Sequence, residues 1–79
     1  MTYKAVVYSD HAILRMAEQR ITRRNVRFLL TRGGRQPEQA KPGGDSRWSC
    51  RGLLGVRQGI VVFVEDAHRI EVITAYFLD

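Results

Sequence analysis

Cysteine, histidine, proline and acidic side chains are all scarce in this chain of 79 residues, and each scarcity closes off a class of function. The one cysteine, Cys50, can form no internal disulfide and no thiolate cluster for zinc, which points to a reducing cytoplasm and not to a disulfide-stapled exported fold. His11 and His68 stand far apart without an acidic cluster, so neither a metal centre nor a cofactor is expected. No apolar run approaches the roughly 20 residues that span a bilayer, and the apolar run near Met1 is too short for a signal peptide. A membrane partner is therefore not expected. Both prolines, Pro37 and Pro42, fall in one polar stretch, leaving the remainder available for regular structure.

What the chain has in excess is positive charge. Its formal net charge is +5, and of 13 basic residues 11 are arginine. Residues 1–35 alone carry +6, while residues 36–79 carry −1. Arginine's planar fork matches phosphate oxygens bidentately and stacks on bases, so a nucleic acid is the natural partner class. The competing reading is a basic face that is simply solvated.

Length and an apolar fraction of 44% fit one domain, residues 1–79, with one core. Residues 2–8 read as a strand, placing Tyr3, Ala5 and Val7 on one face and Lys4, Val6 and Tyr8 on the other. Ser9 is a good N-cap for a helix over Asp10 to Gln19, with Asp10 complementing the helix dipole. On that helix Ala12, Ile13, Leu14, Met16 and Ala17 share the apolar side, and His11, Arg15, Glu18 and Gln19 the polar side. Thr22 caps a second helix, with Val26, Leu29 and Leu30 inward and Arg23, Arg24 and Arg27 outward, ended by Gly33-Gly34. Residues 36–45 read as a loop that can start with a short edge strand. Residues 47–56 alternate, with Trp48, Cys50 and Leu54 on the apolar face and Arg47, Ser49 and Arg51 on the basic one. Ile60 to Val64 is apolar throughout, as in a central strand covered on both faces. After a turn at Asp66-Ala67-His68, residues 69–78 place Ile70, Val72, Thr74, Tyr76 and Leu78 on one face. The expected fold is α+β in two layers: an N-terminal strand, two helices, then an antiparallel meander of three or four strands.

The constellation that could carry chemistry is Ser9-x-His11-Ala12-x-x-Arg15-Met16-x-Glu18 with the closing Val72-Ile73-Thr74-Ala75-Tyr76. His11 lies in the first helical turn, where unpaired N–H groups attract an anion, and Arg15 lies one turn along on the same face. Together they could hold one phosphate, or they could be a solvated face on which Glu18 pairs with Arg15. Tyr76 reads equally as a core tyrosine and as a chemical one. His68 reads as an exposed turn residue, Cys50 as a small buried hydrophobe and Trp48 as core.

These motifs resemble a widespread prokaryotic family of small uncharacterised domains that read S-x-H-A-x-x-R-M-x-x-R-G-I and end in V-I-T-x-Y. That family has been grouped with RelE/ParE-like toxins and related metal-independent ribonucleases, whose order of a strand, two helices and a meander is the one read above. The resemblance implies an RNA-directed toxin, an endoribonuclease, with His11, Arg15, Thr74 and Tyr76 in the active site. It also implies RNA or a ribonucleoprotein as target and a small acidic antitoxin as partner. Arg20, Arg23, Arg24, Arg27, Arg47 and Arg51 would track the nucleic acid. The chain departs from the pattern at Gln19-Arg20, where Arg-Gly is usual, so Arg20 falls where a left-handed glycine C-cap is expected. ParE-like members of the group act on DNA gyrase instead. The other class of reading is a non-catalytic module on the same fold, a nucleic-acid binder or protein inhibitor acting through its basic surface.

Overall fold

The computed structural model describes residues 4–38 and 47–78. They form β1 (Ala5–Tyr8), α1 (Asp10–Gln19), α2 (Arg23–Arg32), β2 (Gly34–Pro37), β3 (Trp48–Leu54), β4 (Arg57–Glu65) and β5 (Arg69–Phe77). The α+β order expected from the sequence is the one observed. Residues 2–3 of the expected first strand and most of the expected 36–45 loop lie outside the described residues.

Cap chemistry sets the helix boundaries. Ser9 Oγ accepts from the Ala12 N–H at 3.0 Å, and Thr22 forms a reciprocal capping box with Asn25. The first helix ends on Arg20 in the left-handed region, at φ 58° and ψ 39°. The second ends on Gly33, where a Cβ would meet the Leu29 carbonyl oxygen at 2.6 Å and the Arg51 carbonyl oxygen at 2.9 Å. Only glycine lets α2 descend this closely onto β3.

One five-stranded mixed sheet has the order β1-β5-β4-β3-β2. Strands β2 to β5 form an antiparallel run, and β1 joins its far edge parallel to β5, with Val6 opposite Ile70 and Tyr8 opposite Val72. The expected edge strand is thus β2. A two-residue turn joins β3 to β4, and its Gly55 adopts φ 71°, a conformation glycine takes without steric cost.

The core lies between the helices and one sheet face: Ala12, Met16, Val26 and Leu29 pack on Cys50, Val61, Phe63, Val72 and Ala75. Strand β4 is buried at Ile60, Val61, Val62 and Phe63, as its continuous apolar run requires. Several expected positions are corrected. Ile13 and Leu14 are 48% and 60% exposed and Ala17 is exposed, because α1 lies against β5 through the Ala12–Met16 stripe alone. Trp48, expected in the core, is 36% exposed at the start of its strand, while Ser49, expected to face solvent, is fully buried. The alternation of β5 breaks at a bulge: Val62 pairs with Thr74 but Phe63 with Val72, which leaves Ile73 as the extra residue. Beyond it the inward positions are Ala75 and Phe77, and Thr74 and Tyr76 no longer share a face with Ile70 and Val72.

Candidate functional site

Two polar anchors align α1 with β5. Ser9 Oγ donates to the Ile73 carbonyl at 3.0 Å, and Gln19 Oε1 accepts from the Phe77 N–H at 3.3 Å. Ten helical residues advance about 15 Å and four strand residues about 13 Å, so the helix runs beside the strand in the same direction and nearly in step. Strand β1 pairs with β5 only as far as Val72, and α1 continues along β5 beyond it.

This alignment brings two of the expected site residues together. The Arg15 guanidinium carbon lies 5.8 Å from the centre of the Tyr76 ring, within cation–π range. Its ion pair with Glu18 is long, 3.8 Å, and at the surface, where such pairs contribute little. His11 lies one turn back from Arg15, a distance of about 6 Å, and Thr74 lies two strand residues back from Tyr76, about the same. His11 is therefore level with Thr74. It is exposed, and its side chain makes no hydrogen bond or ion pair with any described residue.

Thr74 and Tyr76 belong to the sheet face opposite the helix-packed core. Cross-strand register builds two rows there: Arg51, Ile60 and Tyr76 in one, and Gln36, Ser49, Val62 and Thr74 in the next. With strands about 4.8 Å apart, Arg51 and Tyr76 flank Ile60 across about 10 Å, and Arg15 stands beyond Tyr76. Arg47, one residue before β3, has the parity of this face as well. The middle of these rows, Ile60, Val62 and Ser49, is buried, and the exposed Arg47 and Arg51 lie at one side of it and Tyr76 with Arg15 at the other. Ser49, in the second row, is fully buried, and its hydroxyl has no hydrogen-bond partner among the described residues.

The other arginines expected to track a nucleic acid do not extend this surface. Arg23 lies over the Tyr8 ring at 5.0 Å, and Arg27 lines a cleft with Lys4, Val6, Arg35 and Glu65. Arg20 and Arg24 line a different groove with Phe28, Leu53, Leu54 and Phe77. The arginines of α2, expected as one outward face, thus divide between the two flanks of the helix.

Elsewhere the charges serve the fold. Glu65 accepts from Lys4 at 2.8 Å and also from Arg35. The Lys4 ammonium, opposed by partial burial and reinforced by Arg35, holds the Glu65 carboxyl below its ordinary range. Backbone N–H groups of His68 and Arg69 donate to Asp66 Oδ1 and lower its pKa, so His68 sits in an exposed turn as expected. Burial pushes the Cys50 thiol up, which suits a packing residue and not a nucleophile. Among the described residues no group of three or more His, Cys, Asp or Glu is placed to hold a metal ion, and no helix is long and apolar enough to cross a membrane.

Sequence reading missed Gln19, Ser49 and the Lys4–Glu65–Arg35 group. Gln19 had a signal, since it replaces the arginine usual in the motif, and its amide oxygen fastens the end of α1 to β5. The other two depend on strand pairing and leave no local trace.

Neither a curated protein nor a solved structure matches the chain. One family model does, over residues 8–77, which takes in both helices, the four antiparallel strands and every residue of the Arg15–Tyr76 surface. The chain belongs to the family described as a domain of unknown function, DUF4258.

Proposed function

We propose that this protein is an RNA-directed toxin of the RelE/ParE-like kind, a metal-independent endoribonuclease of the cytoplasm. The observation that supports the reading is the in-step alignment of α1 with β5, which brings Arg15 to the Tyr76 ring, with His11 one turn back on the helix and Thr74 two residues back on the strand. In this reading an RNA phosphate sits at the α1–β5 seam. The ribose 2′-oxygen attacks phosphorus while His11 takes its proton, and the bond to the 5′-oxygen breaks, leaving a cyclic phosphate and a 5′-hydroxyl. Arg15 stabilises the charge that grows on the phosphoryl oxygens. The Tyr76 hydroxyl supplies a proton for the departing oxygen, and Thr74 positions the phosphate. Arg47 and Arg51 hold the strand on the sheet face.

A second reading, a nucleic-acid binder that does not cut, draws support from His11 itself, which no described neighbour orients. Expression of the wild-type chain and of His11→Ala in a bacterial host, scored for growth arrest and RNA integrity, separates the two. Arrest with RNA fragmentation that His11→Ala abolishes supports the nuclease. Intact RNA in both strains refutes it.

A further inference from the structure

The cleft that Lys4 and Arg27 share has a volume of about 480 Å³, within the range of small-molecule sites. Its floor is aliphatic: Val6 and Leu30, both half-buried, and Ile70. The ring of Phe63 beneath the Arg35 guanidinium is fully buried and offers no open face. Lys4, Arg27, Arg35 and the Thr31 hydroxyl stand around this floor, and Glu65 is the one acidic residue among the described lining. Glu65 accepts from both Lys4 and Arg35, and so draws two cations together. Its side chain is only 17% exposed, so the group is partly withdrawn from water, where charge-assisted hydrogen bonds are stronger. One carboxylate against three cations leaves the described lining with a net charge of +2. Arg27 makes no hydrogen bond or ion pair with any described residue, and Lys4 and Arg35 keep donors that Glu65 does not use. Cations gathered in this way repel one another, and a second anion among them offsets that repulsion.

We propose that this cleft binds a small aliphatic acid, an alkyl or acyl chain with a phosphate or carboxylate head. The head meets Lys4, Arg27 and Arg35, and the chain lies on Val6, Leu30 and Ile70. Aliphatic side chains offer no stacking plane to a base, so the floor fits a saturated chain better than a nucleotide. The cleft shares no residue with the Arg15–Tyr76 seam, and the proposal stands whether or not RNA is cut.

The test is isothermal titration calorimetry on the whole chain with octyl phosphate and with octanoate, each kept below the concentration at which it forms micelles. The comparisons are inorganic phosphate, octanol and octylammonium. Both amphiphilic anions should bind, octyl phosphate more tightly because it brings more charge and more oxygens to three cations. Inorganic phosphate and octanol each offer half of the match and should bind far more weakly. Arg27→Glu should weaken octyl phosphate about tenfold or more, the scale of one charged hydrogen bond, and should improve binding of octylammonium, a gain that misfolding cannot produce. Arg27 is exposed, so an unchanged circular dichroism spectrum is expected for that variant. Arg24→Glu makes the same charge change on the same helix outside the cleft and should leave octyl phosphate affinity nearly unchanged. Binding of neither amphiphilic anion would overturn the proposal. Inorganic phosphate binding as tightly as octyl phosphate would leave the floor without a role and overturn it too, as would octyl phosphate binding that Arg27→Glu leaves intact. Displacement of octyl phosphate by a single-stranded RNA would reassign the cleft to a nucleic-acid backbone and overturn it equally.

Discussion

Replacing Arg20 by glycine acts on the one non-glycine residue with positive φ among those described, at 58°. For an L-residue the left-handed region costs roughly 1–2 kcal/mol, which glycine does not incur. Against this, glycine's freer unfolded chain returns about 0.4–1 kcal/mol. Arg20 is exposed and its side chain is bonded to no described residue, so its removal sacrifices little packing. Its backbone N–H contacts to the Ala17 and Met16 carbonyls are main-chain features that glycine retains. The net expectation is a gain of about 0.5–1 kcal/mol, which in a domain of this size raises Tm by about 2–8 °C. Thermal and urea unfolding followed by circular dichroism would measure it, with an unchanged urea slope showing that the surface exposed on unfolding is the same. Arg20→Ala is the control: it removes the same side chain, keeps the strain, and should show no such gain. A Tm for Arg20→Gly at or below that of Arg20→Ala would refute the strain argument.

Leu29→Ala, at a fully buried position between α2 and the sheet, should cost about 2–5 kcal/mol in urea unfolding. Gly33→Ala should cost about 1–3 kcal/mol, because its Cβ would collide with two backbone carbonyl oxygens that cannot turn aside. Glu65, whose native pKa is lowered, contributes stability that is present above the ordinary carboxylate range and is lost as pH falls through its native value. Glu65→Gln should accordingly be less stable than wild type near pH 7, and the gap should close in acid; a gap that widened would show the sign to be wrong. RNA affinity should fall steeply with salt, by a slope of about 0.7 for each phosphate neutralised on a single strand. Charge reversal at Arg47 and Arg51 should flatten that slope more than reversal at Arg20 and Arg24.

Features that depend on a few adjacent residues were legible in the sequence. Ser9 and Thr22 accept hydrogen bonds from N–H groups three residues on, so the helix starts follow from local chemistry. The left-handed end of α1 at Arg20 followed from the motif's missing glycine, and the burial of β4 from its unbroken apolar run. Pairing was not legible in the same way. Nothing in residues 5–8 announces that they add parallel to β5, and nothing in residues 69–77 announces the bulge at Ile73 that reverses the facing of Thr74 and Tyr76. One extra residue in a strand turns everything beyond it to the other face, which alternation alone does not reveal. The apolar arc of α1 was read too wide for the same reason: Ile13 and Leu14 fall on the correct side by angle, but the contact with β5 has room only for Ala12 and Met16. His11 and Arg15 were singled out from their spacing on one helix face and from the motif. That Tyr76 lies against Arg15, with Arg51 across Ile60 from it, required the structure.

The account stands most directly on whether that seam acts on a phosphate. The decisive measurement is cleavage of a labelled single-stranded RNA by the purified chain in the presence of a chelator, with His11→Ala, Arg15→Ala and Tyr76→Phe beside the wild type. Wild-type cleavage to a cyclic phosphate and a 5′-hydroxyl is expected, unaffected by the chelator. His11→Ala should lower the rate by about 10²- to 10⁴-fold, the scale of general acid–base assistance, without loss of fold. Arg15→Ala should also lose most activity, while Tyr76→Phe keeps the ring and tests the hydroxyl alone. A wild-type chain that binds the RNA and leaves it whole, with His11→Ala indistinguishable from it, would contradict the account.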